Sequence, residues 1–282
     1  MSLATEKKFY IIINPSSGAG RGLRNLQAIA NFAQKHNGSV LVSRYPGHTT
    51  QLAKSIATKG RLIFAAGGDD TVREVLQGTY TSKCIIGIVP LGTFNNLATS
   101  LYLPPHPLEC LKLSLEGVNC LVDVGKIEQG KLFTESIGIG LDSYAWSKAP
   151  VQEPKGLWRW IFKMHDVMQI TVANSRCYCS GIQIAPNAKM NDGLLDICII
   201  SRMSKLKFLA MMPIFYFGKH INNSTSVHYI QAHKISISGP SSVPIRVDGM
   251  LTSQTLPIKA TALSNSLTIR IPVICRHTAS LQ

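Results

Sequence analysis

Along the first third of the chain, short apolar runs alternate with segments whose apolar residues recur every three or four positions. Phe9–Asn14 is an apolar run ending in a turn. Leu23, Leu26, Ile29, Ala30 and Ala33 then fall on one face of a helix predicted over Leu23–His36. Val40–Tyr45 reads as a strand, Thr49–Thr58 as a helix, and Leu62–Ala66 as a strand closed by Gly67-Gly68. Thr71–Leu76 opens a further helix. Ile85–Val89 is a continuous β-branched run of the kind that fills a strand buried on both faces, and Asn95–Leu101 a short helix stopped by Pro104-Pro105. This β-α-β-α-β-α-β order predicts a parallel sheet with helices on both sides.

The pattern changes near residue 118. Strand-like runs dominate from there: Asn119–Val124, Leu132–Ile139, Gln169–Ala173, Cys177–Ala185, Leu195–Ile200, Lys234–Ser238, Pro244–Val247, Leu256–Ala262 and Leu267–Ile271. Two helices are predicted among them, Gly156–Met168 and Lys205–Phe217. An α/β domain over residues 1–122 is therefore expected to precede a mostly antiparallel domain over 123–282, the last residues packing back on the first domain.

Composition narrows the class. The 282 residues are 45% hydrophobic, which excludes a disordered chain. No apolar run reaches the ~18 residues that span a bilayer, and the N-terminus lacks a signal-peptide core, so a cytoplasmic protein is expected. Seven cysteines without CxxC or Cys/His spacing read as reduced thiols, not a zinc site; Cys177 and Cys179, two apart, would share one face of a strand. The net charge is +14, spread as +6 over residues 1–122 and +8 over 123–282. Nucleic acid, an anionic membrane surface and a phosphate-rich ligand all suit such a charge.

The candidate chemistry lies in three turns that follow predicted strands: Asn14-Pro15-Ser16-Ser17-Gly18-Ala19-Gly20, Gly67-Gly68-Asp69-Asp70-Thr71 and Pro90-Leu91-Gly92-Thr93. Open parallel sheets bind ligands at the carboxyl ends of their strands. Glycine turns and helix N-termini present backbone N–H groups to phosphate there. The better-known phosphate and nucleophile motifs are missing. Leu23 stands where GxGxxG needs glycine, and neither a Walker lysine nor GxSxG is present.

These turns resemble those of the diacylglycerol kinase catalytic-domain family, which includes bacterial lipid kinases and sphingosine kinases. The matching motifs are NPSSGAG at Asn14–Gly20, GGDDT at Gly67–Thr71 with Glu74 and Gly78, and PLGT at Pro90–Thr93 with Asn95. The likeness continues through Val122–Gly125, Phe133, Gly138–Gly140, APNAKMNDGLLD at Ala185–Asp196 and Val247-Asp248-Gly249, covering about residues 9–271 in the family's order. It implies an α/β ATP-binding domain like that of the NAD and diacylglycerol kinases, and a β-sandwich-like second domain. The implied reaction is ATP-dependent phosphoryl transfer to a diacylglycerol-like or sphingoid hydroxyl. NPSSGAG, PLGT and NDGLLD favour this lipid branch over an NAD-kinase-like phosphotransferase. The nucleotide contacts carried over are Asn14, Ser17, Gly18, Gly20, Ser43, Gly67, Gly68, Asp69, Asp70, Thr71, Val72, Arg73, Gly92 and Thr93. Asp69, Asp248 and Met250 are the catalytic candidates. Asp192 with the carbonyls of Lys189 and Leu194 resembles a Mg²⁺ site, and oxygen donors suit that hard cation.

The chain departs from the family where the chemistry is most demanding. Asp70 replaces a glycine, and a carboxylate ~4 Å from a phosphate charge is repelled by about 1 kcal/mol in water and about 4 at an effective dielectric of 20. Arg73, three residues on where the family carries Asn, is placed to pair with Asp70 or reach a phosphate. Met250 replaces the glutamate implied as proton acceptor, and loss of a general base typically costs about 10²–10⁴ in rate. Asn96 replaces an Asp common in bacterial members. A catalytically impaired relative that binds nucleotide or lipid as a regulator is therefore the alternative reading. The expected partners are a lipid substrate and, transiently and peripherally, an anionic membrane surface rather than nucleic acid; a homodimer stays open. Trp158, Trp160, Phe162 and Met164 lie among Lys155, Arg159 and Lys163, and Lys205 and Lys207 precede the apolar run Phe208–Phe217, both patterns suited to a membrane interface.

Overall fold

The β-branched runs of the first third become parallel strands. In the computed structural model, which describes residues 8–141, 143, 167–178, 181–223 and 225–279, β1 (Phe9–Ile13), β2 (Gly38–Val42), β3 (Leu62–Gly67) and β4 (Ile85–Pro90) lie in the order β2-β1-β3-β4. All three pairings are parallel, with Ile13 beside Val42 and Ala66, and Gly67 beside Pro90. The connections are α1 (Ser17–Lys35), α2 (His48–Ile56) and α3 (Asp69–Thr79); α4 (Asn96–Ser100) and α5 (Pro107–Leu115) follow β4. One core joins Ile11, Ile13, Phe64 and Val89 of the strands to Ile29 and Ala33 of α1 and Leu111 of α5. Phe9 and Phe64 meet edge to face at 5.7 Å.

The chain divides into two units, Met1–Val122 with Asn265–Gln282, and Asp123–Ser264. The second unit holds the second half of β5 (Val118–Ile127), then β6 (Leu132–Phe133), β7 (Ser136–Gly140), β8 (Val167–Ala173) and β9 (Leu195–Ser201). After α6 (Lys205–Tyr216) and α7 (His220–Asn223) come β10 (Val227–Ala232), β11 (Lys234–Ile237), β12 (Ile245–Val247), β13 (Met250–Thr252) and β14 (Ile258–Ile271), whose far end lies in the first unit; α8 (Val273–Thr278) closes the chain. Six strands form an antiparallel sheet in the order β10-β9-β8-β7-β12-β13. One apolar layer joins Ile137, Val172, Ile197 and Val247 of this sheet to Phe133, Ile237, Ile258 and Ala260 from β6, β11 and β14. Met168, Cys198 and Ile200 join Met211 and Phe215 of α6 in a second layer.

Several sequence expectations are corrected. Residues 132–139 are not one strand. Thr134 and Glu135 interrupt it because their backbone N–H groups, with that of Ser136, turn to the Asp248 carboxylate. The described residues of 177–185 do not form a strand but lie mostly in turns, with a bridge from Tyr178 to Ile182 and a left-handed Gly181. Leu256–Ala262 and Leu267–Ile271 are parts of one strand, β14, which continues through the polar Ser264-Asn265-Ser266. Its last residues pair parallel with β4, Thr268 beside Ile85, which is why residues from Asn265 onward belong to the first unit. α5, β10 and β13 were not anticipated; α5 carries proline at its start, where no N–H is needed. Of the helix expected over Gly156–Met168, Val167 and Met168 lie in strand β8, and residues 156–166 lie outside the described residues, with Trp158, Trp160, Phe162 and Met164. Cys179 lies outside them too. The other six cysteines are buried free thiols, and burial pushes Cys110 and Cys198 up to about 12, which makes them inert. No helix among the described residues is long and apolar enough to cross a membrane.

Candidate active site

The strand order reverses at β1. The chain passes from β1 to β2 on one side and returns to β3 on the other. Crevices at such switch points, beyond the carboxyl ends of the strands, are where open α/β sheets bind ligands. Asn14 follows β1 there, and its N–H donates to Ala66 O at the end of β3 at 3.0 Å. Its side chain accepts from Ser16 N at 3.0 Å and its Nδ2 donates to Thr71 Oγ1 at 3.4 Å. Ser17 Oγ lies 3.4 Å from the same Thr71 hydroxyl. Ser43, after β2, is buried and donates its N–H to Ile13 O at 2.9 Å.

The turns also meet by close approach, the third with the second at Gly92 and Gly68 and the third with the first at Leu91 and Gly18. A Cβ on Gly92 would lie 2.3 Å from Gly68 Cα, and one on Gly67 would strike the Thr71 side chain at 2.2 Å. Gly18, left-handed at φ +58°, leaves no room for a Cβ against Leu91 O. Gly18, Ala19 and Gly20 form a left-handed bend before the right-handed part of α1. Gly92 N donates to Asn95 Oδ1 at 2.8 Å, and Gly92 O accepts from Asn95 Nδ2 and from Arg21 Nη1, each at 3.0 Å. Thus the Gly92 amide, expected to face phosphate, already has a partner. Arg21, absent from the sequence-predicted set, bridges the first turn to the third; its place one residue after the glycine bend was the available signal.

Asp69 and Asp70 occupy the first turn of α3, with buried Thr71 and Val72 beneath them. Carboxylates suit the positive end of a helix. Arg73 Nη2 donates to Asp70 Oδ1 at 2.9 Å, so the charge introduced at the glycine position carries its own counter-charge. Thr93 is exposed beside Gly92, and Asn96 is buried at the start of α4.

The remaining candidates belong to the second unit. Asp248 and Gly249 form the turn between β12 and β13, both with positive φ, as a two-residue hairpin turn of this kind demands. The buried Asp248 carboxylate accepts from Thr134 N at 2.9 Å and Thr134 Oγ1 at 3.4 Å through Oδ2, and from Glu135 N at 2.8 Å and Ser136 N at 3.1 Å through Oδ1. Met250 opens β13 and its side chain is 44% exposed. Arg246 braces the turn by donating to Gly249 O and, at 2.9 Å, to Tyr178 Oη. The polar triplet Thr134-Glu135-Ser136 inside an apolar run was the overlooked sign of this network.

Asp192 sits on an exposed turn. Its Oδ1 accepts from Leu194 N at 3.0 Å. Asp123 Oδ2 accepts from Gly193 N at 2.7 Å, and Gly193 O lies 3.0 Å from His233 Nδ1, so the turn is pinned from two sides. Asp192 and the carbonyls of Lys189 and Leu194 would offer Mg²⁺ only oxygen donors and one carboxylate, the chemistry that a largely hydrated Mg²⁺ takes. No cluster of three or more His, Cys, Asp or Glu side chains exists among the described residues. Buried Asp196 nearby accepts from Tyr229 Oη at 2.6 Å and Gln231 Nε2 at 3.0 Å, and burial pushes its carboxyl above the usual range.

Two family models match the chain. The diacylglycerol kinase catalytic domain matches residues 8–127, and the YegS C-terminal NAD kinase beta sandwich-like domain matches residues 161–271. Together they account for most of its length, so the chain carries a diacylglycerol kinase catalytic domain followed by a YegS-type C-terminal domain. A diacylglycerol kinase of Staphylococcus saprophyticus is 23% identical over 271 residues, covering 86% of this chain and 88% of that protein. One of Mycobacterium tuberculosis (strain ATCC 25618 / H37Rv) is 27% identical over 299 residues, covering 94% and 95%. A crystal structure of a diacylglycerol kinase from Bacillus anthracis str. Sterne, 24% identical, matches the fold with a TM-score of 0.71 over 94% of this chain and 97% of its own.

Proposed function

We propose that this protein transfers the γ-phosphoryl group of ATP to the hydroxyl of a diacylglycerol-like or sphingoid lipid. The observation that carries this reading is the convergence of three strand-end turns on Thr71 and Gly92 at the switch point of a parallel sheet. Phosphoryl transfer asks chiefly for positioning and charge neutralisation, and helix N-termini with glycine turns provide both. On this reading Asn14, Ser17 and Thr71 orient the phosphates, Ser43 and Thr93 border the nucleotide, and Arg73 offsets Asp70. Asp192, with the carbonyls of Lys189 and Leu194, would hold Mg²⁺, which would supply fixed positive charge. Asp248 is a poor proton acceptor, since four donors already occupy its oxygens. Asp69 is the proposed base.

A second reading, a relative that binds nucleotide and lipid with little turnover, is favoured by one observation: an exposed thioether, unable to take a proton near neutral pH, opens β13 at Met250. Incubation with labelled ATP, Mg²⁺ and mixed lipid extract separates the two. Labelled phospholipid from the wild type supports the kinase. Label only from an Asp70→Gly, Met250→Glu double variant supports the impaired relative. No heat on calorimetric titration with Mg-ATP removes both.

A further inference from the structure

Helix α6, KLKFLAMMPIFY, is apolar around its whole circumference. Phe208, Met211 and Phe215 turn one side to the layer on the six-stranded sheet. The opposite side carries Leu206, 81% exposed, Leu209, 54%, and Tyr216, 51%, with Met212 beside them and Phe217, 65% exposed, just past the end. At 100° per residue these side chains form one continuous stripe. Helices apolar all round are ordinarily buried or in lipid. This one has twelve residues, about 18 Å at 1.5 Å per residue, too short to span a bilayer.

The surroundings select the occupant. From residue 197 to 247 the chain contains no Asp or Glu but six Lys and Arg, among them Arg202, Lys205 and Lys207 at one end of α6 and Lys219 at the other. Lys207 Nζ donates to Ser226 Oγ at 2.6 Å, which holds that ammonium near the N-terminal end of the helix. A second copy seated on the stripe would bring two like-charged borders together. Residues 144–166 carry four basic and two acidic side chains, so they too would add positive charge to positive. An anionic lipid surface satisfies both features, with headgroups for the lysines and an acyl boundary for the stripe.

We propose that the outer face of α6 is a membrane-docking wedge that inserts Leu206, Leu209, Tyr216 and Phe217 into the interface of an anionic bilayer. It rests on the lipid-kinase reading for its purpose but not for its measurement. It lies outside the nucleotide turns, so docking needs neither ATP nor turnover.

The test is co-flotation of the full-length protein, without nucleotide, with vesicles of phosphatidylglycerol and phosphatidylcholine at 3:7, and with phosphatidylcholine alone. The expected result is partitioning at least tenfold stronger onto the anionic vesicles, falling severalfold between low and 0.5 M salt. The variant Leu206→Ser, Leu209→Ser, Phe217→Ser should lose at least tenfold of that binding. Its side chains are exposed, so its melting temperature should match the wild type, and a Lys207→Glu, Lys219→Glu variant provides a second test through charge alone. Unchanged flotation of both variants overturns the proposal. So does sedimentation equilibrium showing a dimer that the serine variant dissolves, or flotation that appears only when residues 144–166 are deleted. Phosphorylation of a water-soluble short-chain diacylglycerol, measured separately, reports on the kinase reading, so either idea can fail without the other.

Discussion

Arg73 Nη2 lies 2.9 Å from Asp70 Oδ1 across the first turn of α3, pairing a carboxylate and a guanidinium at two positions where the resemblance implies Gly and Asn. The two departures compensate each other: Asp70 alone would place a negative charge beside the turn proposed for phosphate, and Arg73 cancels it. Arg73→Asn should therefore weaken Mg-ATP binding about tenfold, and Asp70→Gly, Arg73→Asn should restore most of it. Isothermal titration of the three proteins at one ionic strength measures this. Equal affinities for the wild type and Arg73→Asn would show that the pair has no bearing on nucleotide.

Gly92 and Gly68 test the geometry of the turns independently of charge. A Cβ at 92 meets backbone at 2.3 Å, whereas one at 68 meets the nearest backbone atom at 3.1 Å. At 2.3 Å the backbone must shift, whereas at 3.1 Å a few tenths of an ångström suffice, so Gly92→Ala should cost about 1–3 kcal/mol of stability and Gly68→Ala clearly less. Urea unfolding gives both values. Gly92→Ala should also bind Mg-ATP more weakly by tenfold or more, because the turns after β3 and β4 must separate. A Gly92→Ala protein with wild-type stability would mean that the turns are not locked as described.

Periodicity made the first sheet legible. Ile85–Val89 and Phe9–Ile13 are uniform apolar runs, and their flanking glycine turns marked the rim. The second unit was harder to read because its elements are set by contacts distant in sequence. Asp248 breaks the strand at Thr134 from more than a hundred residues away, and no local pattern carries that information. β14 looked like two strands because its polar middle interrupts the apolar rhythm, although the backbone ladder runs on. The motifs placed Asp70, Arg73 and Thr71 together correctly, but Arg21 and the partner of the Gly92 amide depend on how turns meet, which spacing cannot show.

His220 gives a prediction about pH. It is fully buried, its Nε2 lies 3.1 Å from Ile184 O, and its ring packs 4.7 Å from Phe215. Burial holds its pKa below the ordinary histidine value, so the unfolded chain binds a proton more readily than the native one. Its contribution to stability is present above the unfolded value near 6.5 and is lost as pH falls below it, with a slope of at most about 1.4 kcal/mol per pH unit. His220→Gln should be less stable at pH 7.5 yet show a flatter decline between pH 7 and 5, as followed by urea unfolding at several pH values. Parallel declines in the two proteins would assign the acid sensitivity to other groups.

Met250 tests which group takes the hydroxyl proton in the proposed reaction. It sits directly after Gly249 in a hairpin fixed by Asp248 and Arg246, so a side chain at 250 is held by the same backbone whatever its chemistry. Because Met250 is partly exposed, Met250→Glu should fold normally, and a carboxylate there would have water for its charge. If Asp69 already serves as base in the wild type, the substitution should raise kcat less than tenfold. If no group takes the hydroxyl proton efficiently, it should raise kcat by about 10²–10⁴ with little change in KM for ATP. Asp248→Asn separates support from chemistry. It deprives three backbone N–H groups of a charged acceptor and should cost several kcal/mol in unfolding experiments. Combined with Met250→Glu at a temperature where both remain folded, it should leave the kcat gain in place. A gain that vanishes in the double variant would instead make Asp248 part of the proton path.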